Sequence, residues 1–272
     1  MKKIKSLGLL SVLASLVLLA GCSKTPEKGE YTVEKGKLKI AMEIGYPPFE
    51  YYDNDGKTPV GFDVELGKEI AKRLGLEAVF IDTAWDGILA GLDTDRYDAI
   101  ISAMTITDER RENYDFTSPY IGNAQALIVR KDSTLDITKP EDLAGLKVGY
   151  QAETTSDFYL EDYAKSHGFG YVQCEYDQVL NAYGDLKYGR IDAVISDALV
   201  AVDYLSLPDC EYKQVWSGTP DEYMGICVKK DNDKLLNALE STLKDIKNDG
   251  TISDLYKRVF GVDLTYTISD VK

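Results

Sequence analysis

The amino-acid sequence predicts an α/β protein with two lobes of similar plan, and three observations support this. Apolar runs typical of strands alternate along the chain with amphipathic stretches typical of helices. The pattern Arg-x-Asp-Ala-(Ile/Val)-Ile-Ser occurs twice, at residues 96–102 and 190–196, each time after an amphipathic stretch. The chain beyond residue 36 is also long enough for two ordinary domains with their own cores. We therefore expect each copy of the pattern to belong to one lobe.

Helix and strand patterns alternate through both expected lobes. Leu66, Ile70 and Leu74 recur at helical spacing and predict a helix at 62–74 with one apolar face. The other expected helices are 155–165, 232–247 and 251–260, and the expected strands are 38–42, 99–103, 126–129, 147–150, 172–175, 193–196, 212–216 and 224–229. Such alternation predicts largely parallel sheets.

The order of these elements predicts a hinge. If the last two helices return to the first lobe, the chain crosses between the lobes twice, near 125–130 and 223–228. Lobe 1 then comprises 37–126 with 227–272, and lobe 2 comprises 127–226. Two crossings form a hinge, and a hinge between two lobes creates a cleft that can close.

The N-terminus predicts export and a lipid anchor. Three lysines precede an apolar run at 7–19, which is shorter than a membrane span of about 20 residues and has the layout of a secretory signal. The run ends in Leu-Ala-Gly-Cys at 19–22, which resembles the lipobox of bacterial lipoproteins. We therefore expect residues 1–21 to be a signal peptide, Cys22 to carry lipid, and 22–36 to be a flexible tether. The alternative is an ordinary cleaved signal with a chance cysteine.

The charge of the chain argues against two kinds of partner. The formal net charge is −15 at pH 7, and cleavage of the signal would remove three lysines and no acid. A surface this acidic argues against nucleic acid and against anionic membrane as partners. We expect an exported protein, tethered by lipid to the outer face of the cell membrane or to the periplasmic side in a two-membrane cell.

Histidine and cysteine usage argues against common catalytic and metal sites. His167 is the only histidine, and Cys174, Cys210 and Cys227 are widely spaced without histidine neighbours. A zinc site, a histidine-based triad and a thiol protease are therefore poorly supported, and we expect no cofactor and no metal. In an exported chain the three remaining thiols raise the question of a disulfide. We expect Cys174 to pair with Cys210, and three buried thiols are the alternative.

The stretch 97–120 carries the strongest chemical information. An apolar strand runs out into hydroxyl residues and then into Arg110 and Arg111, ahead of a Ser-Pro break at 118–119. In open α/β sheets, ligands bind outside the carboxyl ends of the strands. An arginine at that position, beside hydroxyls and free backbone groups, suits a small carboxylate. The alternative is a core strand followed by a solvated charged turn.

Six motifs resemble, in order, the extracellular solute-binding proteins of polar amino-acid ABC transporters. They are Tyr-Pro-Pro-Phe-Glu at 46–50, Gly-Phe-Asp at 61–63, Trp-Asp-Gly at 85–87, Thr-Ile-Thr-Asp-Glu-Arg at 105–110, Asp-Phe-Thr-Ser-Pro-Tyr at 115–120 and Gly-Arg-Ile-Asp-Ala at 189–193. The resemblance extends from about residue 37 to the C-terminus. It implies a two-lobed, type II periplasmic-binding-protein-like fold with a ligand cleft between the lobes. It also implies a non-enzymatic monomer that serves permease and ATPase subunits on separate chains.

The resemblance implies how a zwitterion would be held. Arg110 would take the α-carboxylate, helped by backbone N–H groups at Thr154 and Thr155, where a helix begins. Asp197 would face the α-ammonium. Further polar groups for the ammonium would come from the strand end, at Ser102, Ala103 (through its main chain only) and Thr105. Each position has a structural alternative, such as a surface arginine or a helix cap.

The resemblance also implies where the ligand side chain would lie. Tyr46 and Trp85 match the aromatic walls of the family, although both could instead be core residues. Glu43 stands where the family often has an acid at the distal end of the ligand; the alternative is a solvated charge. Glu153 departs from the family, since many relatives have Gly before the Thr pair. Its carboxylate would repel a bound carboxylate unless it points away, as we expect.

The identity of the ligand and two other functions stay open. An acid with two aromatics favours a cationic amino acid, whereas the Glu43, 46–49 and 85–87 combination also resembles cystine binders. A short anionic ligand would find no second arginine. An enzyme on the same scaffold, of the dehydratase type that acts on prephenate or arogenate, would use Glu153 or Glu43 as a general acid. A tethered sensor that presents its bound ligand to a receptor is a third alternative.

Overall fold

The computed structural model describes residues 31–268, which form two five-stranded sheets covered by helices. The strands are β1 (Lys37–Met42), β2 (Tyr51–Tyr52), β3 (Pro59–Val60), β4 (Glu77–Asp82), β5 (Ala99–Ile100), β6 (Tyr114–Phe116), β7 (Ile121–Asn123), β8 (Gln125–Arg130), β9 (Lys147–Gln151), β10 (Val172–Tyr176), β11 (Ala193–Asp197), β12 (Tyr212–Ser217), β13 (Glu222–Met224) and β14 (Cys227–Lys229). The helices are α1 (Phe62–Leu74), α2 (Ile88–Asp93), α3 (Asp108–Asn113), α4 (Thr155–His167), α5 (Val179–Lys187), α6 (Ala198–Ser206), α7 (Asp233–Asn248) and α8 (Thr251–Phe260). Short 3₁₀ turns lie at Trp85–Gly87, Pro140–Leu143 and Thr265–Ile268.

The two sheets share one plan, which confirms the predicted α/β architecture with two lobes. The first has the order β4-β1-β5-β14-β6 and the second the order β10-β9-β11-β8-β12. In each sheet four strands run in one direction, and one strand, β14 in the first and β8 in the second, runs antiparallel to both of its neighbours. The strand directions are therefore largely parallel, as expected, with one reversed strand in each sheet. Parallel neighbours require a crossover connection, whereas β8 and β14 each enter a sheet directly from the connection between the lobes.

The C-terminal helices pack on the first lobe. Helices α7 and α8 contact α1, and the ring of Phe62 stacks on that of Tyr256 with centroids 5.3 Å apart. Helix α7 buries Leu235, Leu239 and Leu243 on one face, which matches the apolar spacing expected of an amphipathic helix. The chain therefore ends on the lobe in which it begins.

The two sheets are joined through paired strands. The chain leaves the first sheet after β6 and enters the second at β8; it leaves the second after β12 and re-enters the first at β14. Between these points β7 and β13 pair antiparallel, with Asn123 opposite Glu222. The segment 125–130, expected as a crossing, lies within the second sheet as β8. The connection is thus a two-stranded ribbon rather than two separate linkers.

The N-terminal predictions fall mostly outside the described residues. The expected signal peptide, the lipid site at Cys22 and most of the tether lie there. Residues 31–36 of the expected tether form turns against the first lobe, because the N–H of Val33 donates to Oδ1 of Asp98 at 2.5 Å and the carbonyl of Gly36 accepts from Glu77. Within residues 31–268 no helix combines the length and apolarity that a membrane crossing requires.

The expected disulfide is wrong. Cys174, Cys210 and Cys227 carry free thiols, and only Cys227 is fully buried. Cys174 lies on β10 and Cys210 lies just before β12, at opposite edges of the second sheet. Four strand spacings of about 4.8 Å put these edges roughly 19 Å apart, whereas a disulfide joins Cα atoms no more than about 7 Å apart.

The expected strand at 99–103 is shorter than predicted. Only Ala99–Ile100 form β5, and the backbone then turns sharply, with Ala103 at φ 44°. The N–H of Ala103 donates to Oδ2 of Asp63 at 2.6 Å instead of continuing the strand. This turn brings polar backbone groups to the edge of the sheet.

Gly61 allows the approach of α1 to the Tyr-Pro-Pro-Phe loop, and its substitution tests this packing. Gly61 has φ 123°, and an added Cβ would lie 2.3 Å from the carbonyl oxygen of Phe49. We expect Gly61→Ala to lower the free energy of unfolding by about 3 kcal/mol or more, because the backbone must move. Urea unfolding measures this change.

Gly184→Ala is the matched control for that substitution. Gly184 lies inside α5, and an added Cβ there meets no atom within 4 Å. The change should be neutral or stabilising by up to about 1 kcal/mol. Equal stability losses in the two variants would contradict the packing argument.

Candidate ligand-binding site

A cavity of about 320 Å³ lies between the two lobes, where the strands of both sheets end. This volume is at the small end of the range typical of small-molecule sites. Glu43 follows β1, Ser102 follows β5, and Gln151 and Asp197 end β9 and β11. All ten candidate residues line the cavity, together with two that the sequence did not indicate: Glu43, Tyr46, Glu50, Trp85, Ser102, Ala103, Thr105, Arg110, Gln151, Thr154, Thr155 and Asp197.

Arg110 supplies a positive charge to the cavity. Thr107 caps the start of α3 by accepting from the N–H of Arg110, and this fixes the base of the side chain. One guanidinium nitrogen, Nη1, donates to the carbonyl of Thr105 at 2.8 Å, and the guanidinium lies over the ring of Trp85 at 5.4 Å. Burial lowers the pKa of Arg110, yet arginine stays charged in proteins. Among residues 31–268 it forms no ion pair within 4.0 Å, so N–H donors remain for a ligand.

The N-terminus of α4 faces the same part of the cavity. The hydroxyl of Thr154 caps the helix by accepting from the N–H of Asp157, and it donates to the carbonyl of Gln151 at 2.8 Å. The hydroxyl of Thr155 lies 3.5 Å from that of Thr105 across the cleft. The first N–H groups of a helix have no partner within the helix and attract anions. This end of α4 therefore adds to the positive potential of Arg110.

Glu153 does not approach the inner cavity. Its side chain is exposed and lies outside the lining set among the described residues. Its backbone has φ 59°, and its carbonyl accepts from Nε1 of Trp85 at 3.0 Å. The residue that departs from the family pattern thus contributes its main chain to the cleft wall and does not line the inner cavity.

Asp197 supplies a negative charge at the end of β11. Its Oδ2 accepts from the hydroxyl of Tyr46 at 2.7 Å, and its Oδ1 accepts from the amides of Asn123 and Gln125 at 2.8 and 3.2 Å. Burial raises the pKa of Asp197, and these hydrogen bonds oppose that rise. A bound cation would stabilise the ionised form further.

A pair of buried acids holds the turn that follows β5. Ser102 donates to Oε1 of Glu50 at 2.6 Å and accepts from the N–H of Glu43 at 3.0 Å. Asp63 accepts from the N–H of Ala103 at 2.6 Å. Burial and the charge of Asp63 raise the pKa of Glu50 well above its usual range, which favours its neutral form. The two acids together hold the turn that lines the cavity at Ser102 and Ala103.

Glu43 supplies a buried acid to the cavity wall beside Gln151. Nε2 of Gln151 donates to its Oε2 at 2.6 Å, and only 4% of the residue is exposed. Burial, together with the charges of Asp82, Asp86 and Asp177, raises the pKa of Glu43 to about 7, although the hydrogen bond from Gln151 opposes the rise. This acid is therefore poised to gain or lose a proton near neutral pH.

Four polar contacts bridge the cleft. Tyr46 reaches Asp197, and Trp85 reaches the backbone of residue 153. The other two contacts join Glu43 to Gln151 and Thr105 to Thr155. Each contact joins a residue of the first lobe to one of the second, so the cavity walls and the contacts between the lobes are made by the same side chains.

Sequence reasoning missed several polar residues of this site. Gln151 precedes the turn that the resemblance indicated, and Glu50 ends the first motif, but neither was given a role. Asn123 and Gln125 follow the motif at 115–120; Gln125 appeared only as the first residue of an expected crossing at 125–130, and Asn123 was given no role. A buried polar side chain in an apolar strand is the signal that marks these positions, because such groups require partners.

Comparison with known proteins decides the family. Residues 38–262 match the family model of bacterial extracellular solute-binding proteins, family 3. The chain belongs to this family. Its members are the solute-capturing components of uptake systems, and the two lobes with a cleft between them are the type II periplasmic-binding fold.

Curated relatives of this family cover most of the chain. The L-cystine-binding protein TcyJ of Escherichia coli is 35% identical over 232 residues, which are 85% of each chain. The ABC transporter arginine-binding protein 1 of Escherichia coli is 33% identical over 228 residues, covering 82% of this chain and 90% of the relative. These names divide between the two ligand classes that the sequence left open.

Solved structures agree on the fold. An ancestral arginine-binding protein bound to arginine has a TM-score of 0.78 and 38% identity, covering 83% of this chain and 99% of the other. The ancestral amino acid-binding protein AncCDT-1, described as a precursor of cyclohexadienyl dehydratase, has a TM-score of 0.75 and 33% identity, with coverage of 83% and 95%.

The raised pKa of Glu43 predicts a pH-dependent stability difference. Because its folded pKa of about 7 exceeds the ordinary value of 4.5, Glu43 favours the folded state below pH 4.5, and this contribution is lost as pH rises to 7. Glu43→Gln removes the titration and retains an oxygen that can accept from Gln151. We expect the variant to gain stability over the wild type between pH 5 and pH 8, by up to about 3 kcal/mol. Urea unfolding at both pH values measures the difference; a difference independent of pH would contradict the assigned pKa.

Proposed function

We propose that this protein captures one free amino acid with a cationic side chain, by closing its lobes over the ligand, for uptake through an ABC transporter. One observation carries the proposal: a guanidinium without an ion-pair partner among residues 31–268 and a buried carboxylate, Arg110 and Asp197, line the same small cavity. An α-amino acid carries the complementary charges a few ångströms apart. Its carboxylate and ammonium would neutralise both groups at once.

The carboxylate end of the ligand would lie between the lobes. Arg110 of the first lobe offers a planar set of N–H donors, which suits a carboxylate. Thr155 of the second lobe offers the N-terminus of α4. A carboxylate held by both would join the lobes directly, and this joining is what supports closure as the capture step.

The ammonium end would lie at Asp197 and the turn after β5. Within the described part of the chain, the Oδ2 atom of Asp197 accepts a hydrogen bond only from the hydroxyl of Tyr46. Ser102, Ala103 and Thr105 bring hydroxyl or carbonyl oxygens to the same wall. An ammonium needs three acceptors, and this wall has them in a buried position.

The charge balance favours a cationic side chain over cystine. Glu43 and Gln151 line the cavity, and Glu43 also lines a wider adjoining space together with Asp86, Glu153 and Asp177. Within the described part of the chain, no lysine or second arginine lines either space. A distal guanidinium or ammonium would meet acids there, whereas the second carboxylate of cystine would meet no cation. Tyr46 and Trp85 would flank the aliphatic part of the side chain.

We also propose that the protein acts outside the cell as a lipid-anchored monomer, with its permease and ATPase subunits on separate chains. The lipobox-like sequence that ends at Cys22 supports the anchor. The curated relatives are named as binding proteins, which supports capture without turnover. Since one structural neighbour is described as the precursor of a dehydratase, incubation with prephenate and arogenate is the check: formation of product would overturn the non-enzymatic assignment.

The ligand panel is the principal test. Thermal shifts would be measured on residues 23–272 with the twenty amino acids, ornithine and cystine. We expect arginine, lysine or ornithine to give the largest shift, because a ligand that binds only the folded state stabilises it by about 2.7 kcal/mol at a hundredfold excess over Kd. A largest shift with cystine would overturn the assignment of ligand class, and no shift with any of them would overturn amino-acid capture.

Arg110 and Arg111 are consecutive in the chain and provide a matched pair of variants for testing the proposed carboxylate site. Arg110→Ala should weaken binding of the best ligand at least a hundredfold, since the ligand carboxylate would be buried without its partner. Arg111→Ala should change it less than threefold, because Arg111 is exposed and lies outside the cavity lining. Isothermal calorimetry measures both. Equal effects would mean that the carboxylate does not bind at Arg110.

The anchor has its own test in the full-length chain. Cys22→Ser should move the protein from the membrane fraction of producing cells to the soluble exported fraction, because the lipid supplies the only proposed attachment. Cys210→Ser is the control and should leave the distribution unchanged. A wild-type protein found wholly in the soluble fraction would overturn the anchor and leave the ligand proposal intact.

A further inference from the structure

Glu222 lies on the hinge ribbon, directly behind the proposed ammonium site. It begins β13 and is paired with Asn123 of β7. Gln125 lies two residues further on the same side of the chain, and its pairing partner on the second sheet is Asp197. Since side chains of paired residues lie side by side and alternate residues share a face, the register alone brings these four polar side chains together.

Two amide groups are shared between the two acids. Nδ2 of Asn123 donates to Oδ1 of Asp197 at 2.8 Å and to Oε2 of Glu222 at 3.0 Å. Nε2 of Gln125 donates to Oδ1 of Asp197 at 3.2 Å and to both carboxyl oxygens of Glu222 at 2.9 Å. An amide can rotate to present either its N–H₂ or its oxygen. With acids on both sides, both amides are held with N–H₂ toward Asp197.

The same network reaches the carboxylate end of the site. The hydroxyl of Ser156, in the first turn of α4, donates to Oε1 of Gln125 at 2.7 Å. Gln125 therefore touches the helix that carries Thr155, the acid Asp197 and the hinge residue Glu222. Gln125, Ser156 and Asp197 are each at least 95% buried, so water does not replace these contacts.

We propose that Glu222 is a positioning residue that ties the amino-acid site to the hinge, by orienting the amides of Asn123 and Gln125 so that both donate to Asp197. The proposal rests on the proposed function in one respect, namely that a ligand ammonium binds Asp197. A rotation of the lobes about the β7–β13 ribbon then moves Glu222 and alters the hydrogen bonds that aim Asp197. Binding and hinge closure are thereby coupled through four side chains.

Charged and titratable groups surround Glu222. A change in the protonation of Glu222 therefore gives a way to detect the coupling between ligand binding and the hinge. Asp197 of β11 faces it through the amides, Asp221 precedes it in the chain, and Arg110 of α3 and Tyr159 of α4 lie within electrostatic range. Burial and the charge of Asp197 raise the pKa of Glu222 to about 7. A ligand ammonium at Asp197 offsets that negative charge and lowers the pKa of Glu222. Binding near pH 7 therefore releases part of a proton from Glu222.

Proton release on binding separates this role from a purely structural one. L-Arginine would be titrated calorimetrically at pH 7 in phosphate and in Tris, and the difference in heat gives the number of protons released. We expect Glu222→Gln to release fewer protons than the wild type, by up to about half a proton. The control Asp136→Asn, which removes an exposed acid of the loop after β8, should match the wild type. Glu43 contributes equally in all three proteins, so it cancels. Equal proton release by the wild type and Glu222→Gln would overturn the proposal.

Affinity at fixed pH tests the positioning itself. At pH 6 Glu222→Gln should bind L-arginine within threefold of the wild type, because a neutral amide oxygen still accepts from Asn123 and Gln125. Glu222→Ala should bind at least tenfold more weakly, because Asn123 loses the acceptor that helps to orient its amide and Gln125 is then oriented from this side only by Ser156. Wild-type affinity in Glu222→Ala would overturn the positioning role.

Thermal unfolding without ligand tests the interaction between Glu222 and Asp197 even if L-arginine does not bind. Glu222 favours the folded state at pH 5 more than at pH 8, so Glu222→Gln should raise Tm relative to the wild type more at pH 8. In an Asp197→Asn background this pH-dependent gain should shrink, because the neighbouring charge is gone. A gain that is the same in both backgrounds would show that the two acids do not interact. Failure of L-arginine to bind the wild type would instead count against the proposed function alone.

Discussion

The burial of unlike charges without direct ion pairing is the constraint on which the site depends. Arg110 and Asp197 are both removed from most contact with water, and each is held by neutral partners: a carbonyl for the guanidinium, and a hydroxyl and two amides for the carboxylate. A direct salt bridge between them would satisfy both charges and leave nothing for a ligand. Neutral partners instead lower the cost of burial while leaving the net charges available to a zwitterion.

Protonation keeps the remaining acids of the cleft from repelling one another. Glu50, Glu43 and Glu222 all have a raised pKa, in each case chiefly because of burial. Burial favours the neutral form of Glu50, which holds the turn at Ser102. The pKa values of Glu43 and Glu222 lie at about 7, so both acids respond to charge brought into the cleft. The acidic lining is therefore less negative than its composition suggests, until a cation enters.

Local patterns in the sequence indicated much of this architecture and all ten of the candidate side chains that line the cavity. Helix α1 follows from apolar spacing, and Arg110 from its position beyond an apolar strand. The direction of β8 and β14 could not be predicted, because it depends on the path between lobes rather than on residue pattern. The prediction of a disulfide was wrong because the order of the strands, which the residue pattern does not determine, separates Cys174 from Cys210. Glu222 was missed because only strand register places it behind Asp197.

The position of β14 has a consequence for how the chain folds. This strand lies between β5 and β6 in the sheet, although in the sequence it follows the whole second lobe. The first sheet is therefore divided until residue 227 is available, and β6 has no neighbour in it before then. The second sheet, in contrast, is built from the continuous segment 125–217. Long-range pairing of this kind slows folding, so the second lobe is positioned to form first and to serve as the template on which the first is completed.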